Sequence, residues 1–176
     1  MRVALKQHPD TPCKALSSLE VTVERPCLDE IVLTYFLGGN ISRLALPTAA
    51  PRDRVDELWK HTCFEAFVDP GDGYLELNVA PSGKWASYEF VAYREGMSPA
   101  ERVVLNTLEY AFGDEHGELR VSFVGLPPID AWRLGVAAVI EDIDGRKSYW
   151  ALAHPADKPD FHHHDAFALT VSADNA

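Results

Sequence analysis

Cys63-Phe64-Glu65-Ala66-Phe67-Val68-Asp69-Pro70-Gly71-Asp72-Gly73-Tyr74-Leu75-Glu76-Leu77-Asn78-Val79 is the stretch that decides the fold. Two runs rich in β-branched and aromatic residues flank Pro-Gly-Asp-Gly, a composition that favours a turn. In the second run Leu75, Leu77 and Val79 alternate with Tyr74, Glu76 and Asn78, the period of two that belongs to a strand. The two runs are therefore expected to be hairpin neighbours. On the first, Glu65 shares a face with Cys63 and Phe67, opposite Phe64, Ala66 and Val68; on the second, Glu76 and Asn78 share a face. A charged side chain inside so apolar a run must reach water or a polar partner, which makes these faces the first place to look for chemistry.

The same period extends outward in both directions. Leu19, Val21 and Val23 alternate with Glu20, Thr22 and Glu24, and Leu119, Val121 and Phe123 with Arg120 and Ser122. Ile31 to Leu37, Trp85 to Tyr93, Leu134 to Ile143, Ser148 to Ala153 and Phe167 to Val171 are further runs of strand composition. Gly38-Gly39-Asn40, Pro81-Ser82-Gly83 and Pro127-Pro128 punctuate them, and Asp144-Gly145 suits a type I′ hairpin turn. Helix signals are few. Ser98-Pro99-Ala100-Glu101 has the spacing of a capping box and predicts a short helix or a loop turn; Arg54 to Lys60 suits another single turn. Repeats, low-complexity segments and flexible linkers are missing from the sequence. The expectation is one all-β domain over residues 1–176, an antiparallel sandwich of two sheets and about ten strands, jelly-roll-like in its packing.

Composition narrows the function. The chain has 176 residues, 47% of them hydrophobic and 24% charged, close to globular averages. Sixteen Lys and Arg stand against 27 Asp and Glu, a net charge of −11. So acidic a protein, without a basic cluster, is not expected to bind nucleic acid or an anionic membrane. No stretch of 18 apolar residues predicts a membrane span. Cys13, Cys27 and Cys63 are an odd set without C-x-x-C spacing, which argues against a disulfide framework or a thiolate zinc site. Met1 to Pro9 lacks the apolar core and cleavage site of a signal peptide, so the expected location is cytoplasmic. The oligomeric state has no sequence signal.

Leu58-Trp59-Lys60-His61-Thr62-Cys63-Phe64-Glu65-Ala66-Phe67-Val68-Asp69, followed by Tyr74 to Gly83 and by Ser148-Tyr149-Trp150, Pro159-Asp160-Phe161 and Phe167-Ala168-Leu169, resembles the DOMON-like superfamily. Within it the pattern is similar to the family-nine carbohydrate-binding modules, over about residues 17–172. The resemblance implies a β-sandwich with a ligand site on one concave face, binding sugars or haem and usually without catalysis. It implies that Trp59 and Phe161 stack on a sugar ring, while Glu65 and Asn78 hydrogen-bond its hydroxyls. The relatives' intervening basic residue is replaced here by Glu76.

The residues themselves support that chemistry and leave alternatives open. An indole offers a flat apolar surface to the C–H face of a pyranose; Trp59 could equally pack under a loop as core. Glu65 could pair with Arg94, the nearest base, and Glu65 with Glu76 could receive a cation or an amine. His61 and His162-His163-His164 could line the same site, and His61, His162 and His164 could converge on zinc or nickel, although no motif assigns a metal. The candidate binding set is Trp59, Glu65, Asn78, Phe161, His61, Glu76 and Arg94. No cofactor is assigned. Structural calcium at Asp69, Asp72 and Glu76, or at Glu141, Asp142 and Asp144, is one alternative, and noncovalent haem on Met97 and a histidine is another. No hydrolase or phosphate-loop motif occurs, so a small glycoside-processing enzyme using Glu65 and Glu76 is the remaining alternative. Trp85, Trp132 and Trp150 read as core, with Trp132 partly exposed; Tyr88, Phe90 and Tyr93 read as a stripe over both faces of one strand. The expected partner is a small molecule or an oligosaccharide.

Overall fold

A computed structural model describes residues 1–155 and 157–173. The hairpin expected at its centre is present: β5 (Cys63–Gly71) runs antiparallel to β6 (Gly73–Val79), with Glu65 opposite Asn78 and Phe67 opposite Glu76. The turn depends on glycine. Gly73 has φ +75°, and a Cβ there would lie 2.2 Å from the Phe90 carbonyl oxygen, so only glycine lets the two backbones approach so closely. Asp69 Oδ1 accepts from the Gly71 N–H at 2.7 Å and closes the bend.

Around this hairpin the described residues form thirteen strands rather than about ten. The remaining ones are β1 (Arg2–Ala4), β2 (Lys6–Gln7), β3 (Leu16–Cys27), β4 (Glu30–Gly39), β7 (Trp85–Phe90), β8 (Ser98–Pro99), β9 (Val104–Phe112), β10 (His116–Val124), β11 (Ala131–Glu141), β12 (Lys147–Ala151) and β13 (Leu169–Ser172). One sheet has the order β1-β3-β4-β10-β9, the other β2-β12-β11-β5-β6-β7-β8, with β13 also pairing β11. All ladders are antiparallel. The strands absent from the sequence reading are short or lie at a sheet edge. Most of β9 is exposed, so it has no apolar alternation to find. Ser98–Pro99 is not a helix start but a two-residue edge strand on β7, a position that tolerates proline's missing N–H. The turn expected within Arg54 to Lys60 is a single 3-10 turn at Leu58–Lys60.

Asp144-Gly145 does not form the central pair of a type I′ turn. Gly145 N–H closes on the Asp142 carbonyl at 2.9 Å, and Gly145 takes the left-handed position with φ +77°. That is the three-residue connection of a turn followed by glycine.

The core lies between the sheets. Leu19, Val21, Val23, Leu33, Tyr35, Val121 and Phe123 of the five-stranded sheet meet Phe64, Ala66, Val68, Leu77, Val79, Val136 and Ala138 of the larger one. Tyr35 donates its hydroxyl across the interface to the Glu65 carbonyl at 3.0 Å. A second apolar layer covers the outer face of the larger sheet, where Phe67, Tyr74, Tyr88, Phe90 and Val139 pack against Phe161, Ala166 and Phe167. The central strands β5, β6 and β11 are thus buried on both faces, which explains their near-continuous apolar runs. Two aromatic expectations change. Trp132 is 1% exposed, with Arg25 stacked on its ring at 3.4 Å. Tyr88 and Phe90 share the outer face, while Tyr93 lies beyond the strand and is exposed.

Candidate functional site

Strand alternation sends Cys63, Glu65 and Phe67 of β5 and Tyr74, Glu76 and Asn78 of β6 to the outer face of the larger sheet. The second apolar layer does not seal that face completely. A cavity of about 340 Å³ remains, walled by Trp59, Glu65, Glu76, Phe90, Arg94, Met97, Val139, Tyr149, Pro159, Phe161 and His162. That volume suits a small ligand.

Five of the seven candidate residues meet on this wall. Trp59 comes from the 3-10 turn before β5 and is half-buried, its ring edge-on to Tyr88 at 6.0 Å between centroids. Tyr88 is held by its hydroxyl, which donates to Asp56 at 2.7 Å. Phe161 is 8% exposed and packs on Phe67 and Tyr149, so it contributes less open surface than Trp59. Glu65 and Glu76 are 3% and 4% exposed. Arg94 does not pair with Glu65; its guanidinium donates to Asp160 at 3.0 Å.

Asn78 and His61 are elsewhere. Asn78 is fully buried behind the wall, where its amide donates to Glu76 Oε1 at 2.7 Å; it positions Glu76. His61 lies in solvent with its Nδ1 2.7 Å from Glu141. Tyr149, Phe90 and Val139 are the wall residues that the sequence reading treated only as strand. Register could have found them: Tyr149 lies opposite Val139, and Phe90 lies opposite Tyr74.

The electrostatics are unusual. Burial, with the Glu76 charge beside it, pushes the Glu65 carboxyl well above the ordinary range. Burial likewise raises Glu76 to about 7, although the Asn78 amide and Arg94 pull the other way. Glu65 Oε1 and Asn78 Oδ1 are buried without a hydrogen-bond partner. His162 is lowered to about 4 by burial and by the Arg94 charge, so it is neutral at neutral pH. The Tyr74 hydroxyl accepts from the Arg94 backbone N–H at 3.1 Å and lies 2.7 Å from His162 Nδ1. The other ring nitrogen of His162, Nε2, lies 3.7 Å from Glu76 Oε2. Asp160 stays below its ordinary value: burial opposes this, but hydrogen bonds from Tyr93 and Arg94 outweigh it.

The residues weighed for metals are dispersed. His61 pairs with Glu141, His162 faces the cavity, and His164 lies at the surface beside Asp165. Among the described residues, the one set of three potential ligands within 4.8 Å of one another is His163, His164 and Asp165, outside the cavity. In the two acidic turns, Asp69 binds the Gly71 N–H, Asp142 Oδ1 binds the N–H groups of Asp144 and Arg146, and Asp144 pairs with Arg43.

No family model and no curated protein matches this sequence. Solved structures do match the fold. A candidate carbohydrate-binding protein from Bacteroides uniformis ATCC 8492 is similar with a TM-score of 0.60 and 16% identity, over 98% of this chain and 86% of that one. A family-nine carbohydrate-binding module from Caldicellulosiruptor kristjanssonii, in complex with cellotriose, is similar at a TM-score of 0.48 and 8% identity, over 93% of this chain and 76% of that one. The same kind of module with glucose scores 0.47 at 8% identity, over 89% and 87%.

Proposed function

We propose that this chain is a noncatalytic binding module of DOMON-like type, and that the cavity on the outer face of its larger sheet takes a carbohydrate. One observation carries the reading: the cavity combines a half-open indole, Trp59, with a buried carboxyl whose Oε1 has no protein partner. A sugar ring supplies what each lacks, an apolar C–H face for the indole and hydroxyls for the orphaned acceptor. The fold shared with the Bacteroides uniformis protein supports the same reading. Trp59 and Tyr149 would bracket the ring, with Phe161 at the back. Glu65 and Glu76 would meet the hydroxyls, and Asn78 would hold Glu76 in place.

The test is a titration of the full chain with a panel of mono- and disaccharides, followed by tryptophan fluorescence, with Trp59→Ala in parallel. A saturable change at millimolar or lower concentration, weakened at least tenfold in Trp59→Ala, is expected; silence across the panel would overturn the carbohydrate reading. Met97 and His162 line the same cavity, which makes noncovalent haem the second reading. A Soret band with haemin that disappears in Met97→Leu would put it first.

A further inference from the structure

We infer that the cavity prefers a ligand bearing a protonated amine, an amino sugar in its ammonium form, with the nitrogen between the carboxyl groups of Glu65 and Glu76. This rests on the carbohydrate reading above and names the class of sugar.

The wall is rich in acceptors and poor in donors. Glu65 Oε1 is buried and unpartnered, and Glu76 Oε2 has only the His162 ring, 3.7 Å away. Among the described residues, Arg94 is the only Lys or Arg on the wall, and Asp160 already holds its guanidinium at 3.0 Å. The other titratable groups around the two carboxyls do not supply a cation. Cys63 on β5 and Tyr74 and Tyr88 on β6 and β7 are uncharged, His162 on the closing loop is neutral, and β11 contributes Val139. A neutral hydroxyl brings one donor and needs an acceptance in return. An ammonium brings three donors and accepts nothing, so it fits this inventory better. Trp59 and Tyr149 also line the cavity, and an aromatic ring attracts a cation over its face. Burial raises both carboxyls, the direction this deficit demands. When the ammonium enters, a carboxyl proton leaves to the buffer and the resulting carboxylate pairs with the nitrogen.

The experiment is calorimetry of the full chain at pH 7 with glucosamine, N-acetylglucosamine, glucose and methylammonium, each in two buffers of different ionisation enthalpy. Glucosamine should bind at least tenfold tighter than glucose or N-acetylglucosamine, with a buffer-dependent heat that reports proton release. In Glu65→Gln that preference should fall toward one; Glu76→Gln should reduce it as well, which covers the case of a Glu65 variant that does not fold. Glucose equal to or tighter than glucosamine would overturn the amine inference and leave the carbohydrate reading standing. Methylammonium as tight as glucosamine would keep the ammonium site and overturn the sugar. No heat with any of the four would overturn both.

Discussion

Glu76 and His162 are buried titrating groups that act on stability in opposite directions. The folded state holds the Glu76 proton up to about pH 7, against an ordinary value of 4.5. Folded protein therefore binds more protons than unfolded between those values, and stability from this group falls as pH rises through the window. His162 behaves oppositely. Its value drops from 6.5 to about 4, so the unfolded chain binds more protons in that range and stability rises with pH. Each window is worth at most about 3 kcal/mol, and they overlap. Glu65, raised for the same reason as Glu76, adds a second fall, so the native chain should lose stability as pH rises from 4.5 to 6.5. Glu76→Gln should flatten that fall, because Glu65 and His162 then oppose each other, and His162→Phe should steepen it. Urea midpoints across pH check this; parallel profiles in all three proteins would contradict it.

At the scale of elements, the site depends on how the segment between β12 and β13 is tied down. Asp160 accepts from Arg94 and Tyr93, and its Oδ1 also caps the His162 N–H at 3.1 Å. Phe161 and His162 then lie against Phe67 and Tyr74. Asp160→Ala should loosen that segment without unfolding the sheets. The expected result is faster amide exchange confined to residues around 157–167, with unchanged protection in β5 and β6 and ligand affinity reduced several-fold. Global loss of protection would show instead that the segment holds the sheet together. Strand and turn composition predicted most of the elements, since alternation is local. The anchoring of Asp160 was not legible: Arg94 takes a left-handed φ of 55° beyond its strand and meets a residue 66 positions away.

At the scale of the whole molecule, Arg25 ties the two sheets together at one end. It leaves β3 of the smaller sheet and donates to the carbonyls of Leu28, Ile129, Asp130 and Val171, the last on β13 of the larger one. Its guanidinium also stacks on Trp132. Arg25→Ala should cost about 3–5 kcal/mol in urea unfolding, because several buried carbonyls lose their donor. Arg25→Lys should recover little, since an ammonium lacks the planar fork. Arg25 continues the inward phase of Leu19, Val21 and Val23, but three of its carbonyl partners, Ile129, Asp130 and Val171, are distant in sequence and leave no local signal. What the amino-acid order determined alone was local: strands of period two, glycine turns, and the face on which Glu65, Glu76 and Asn78 stand. Backbone geometry imposes those regardless of partners. Tertiary structure decided what depends on distant chain segments meeting: Asn78 behind the wall, His61 away from it, Arg94 claimed by Asp160, Tyr149 brought to the same cavity as Trp59. Such outcomes follow from which buried polar groups find partners, and that is settled only when the sheets and the closing loop have packed.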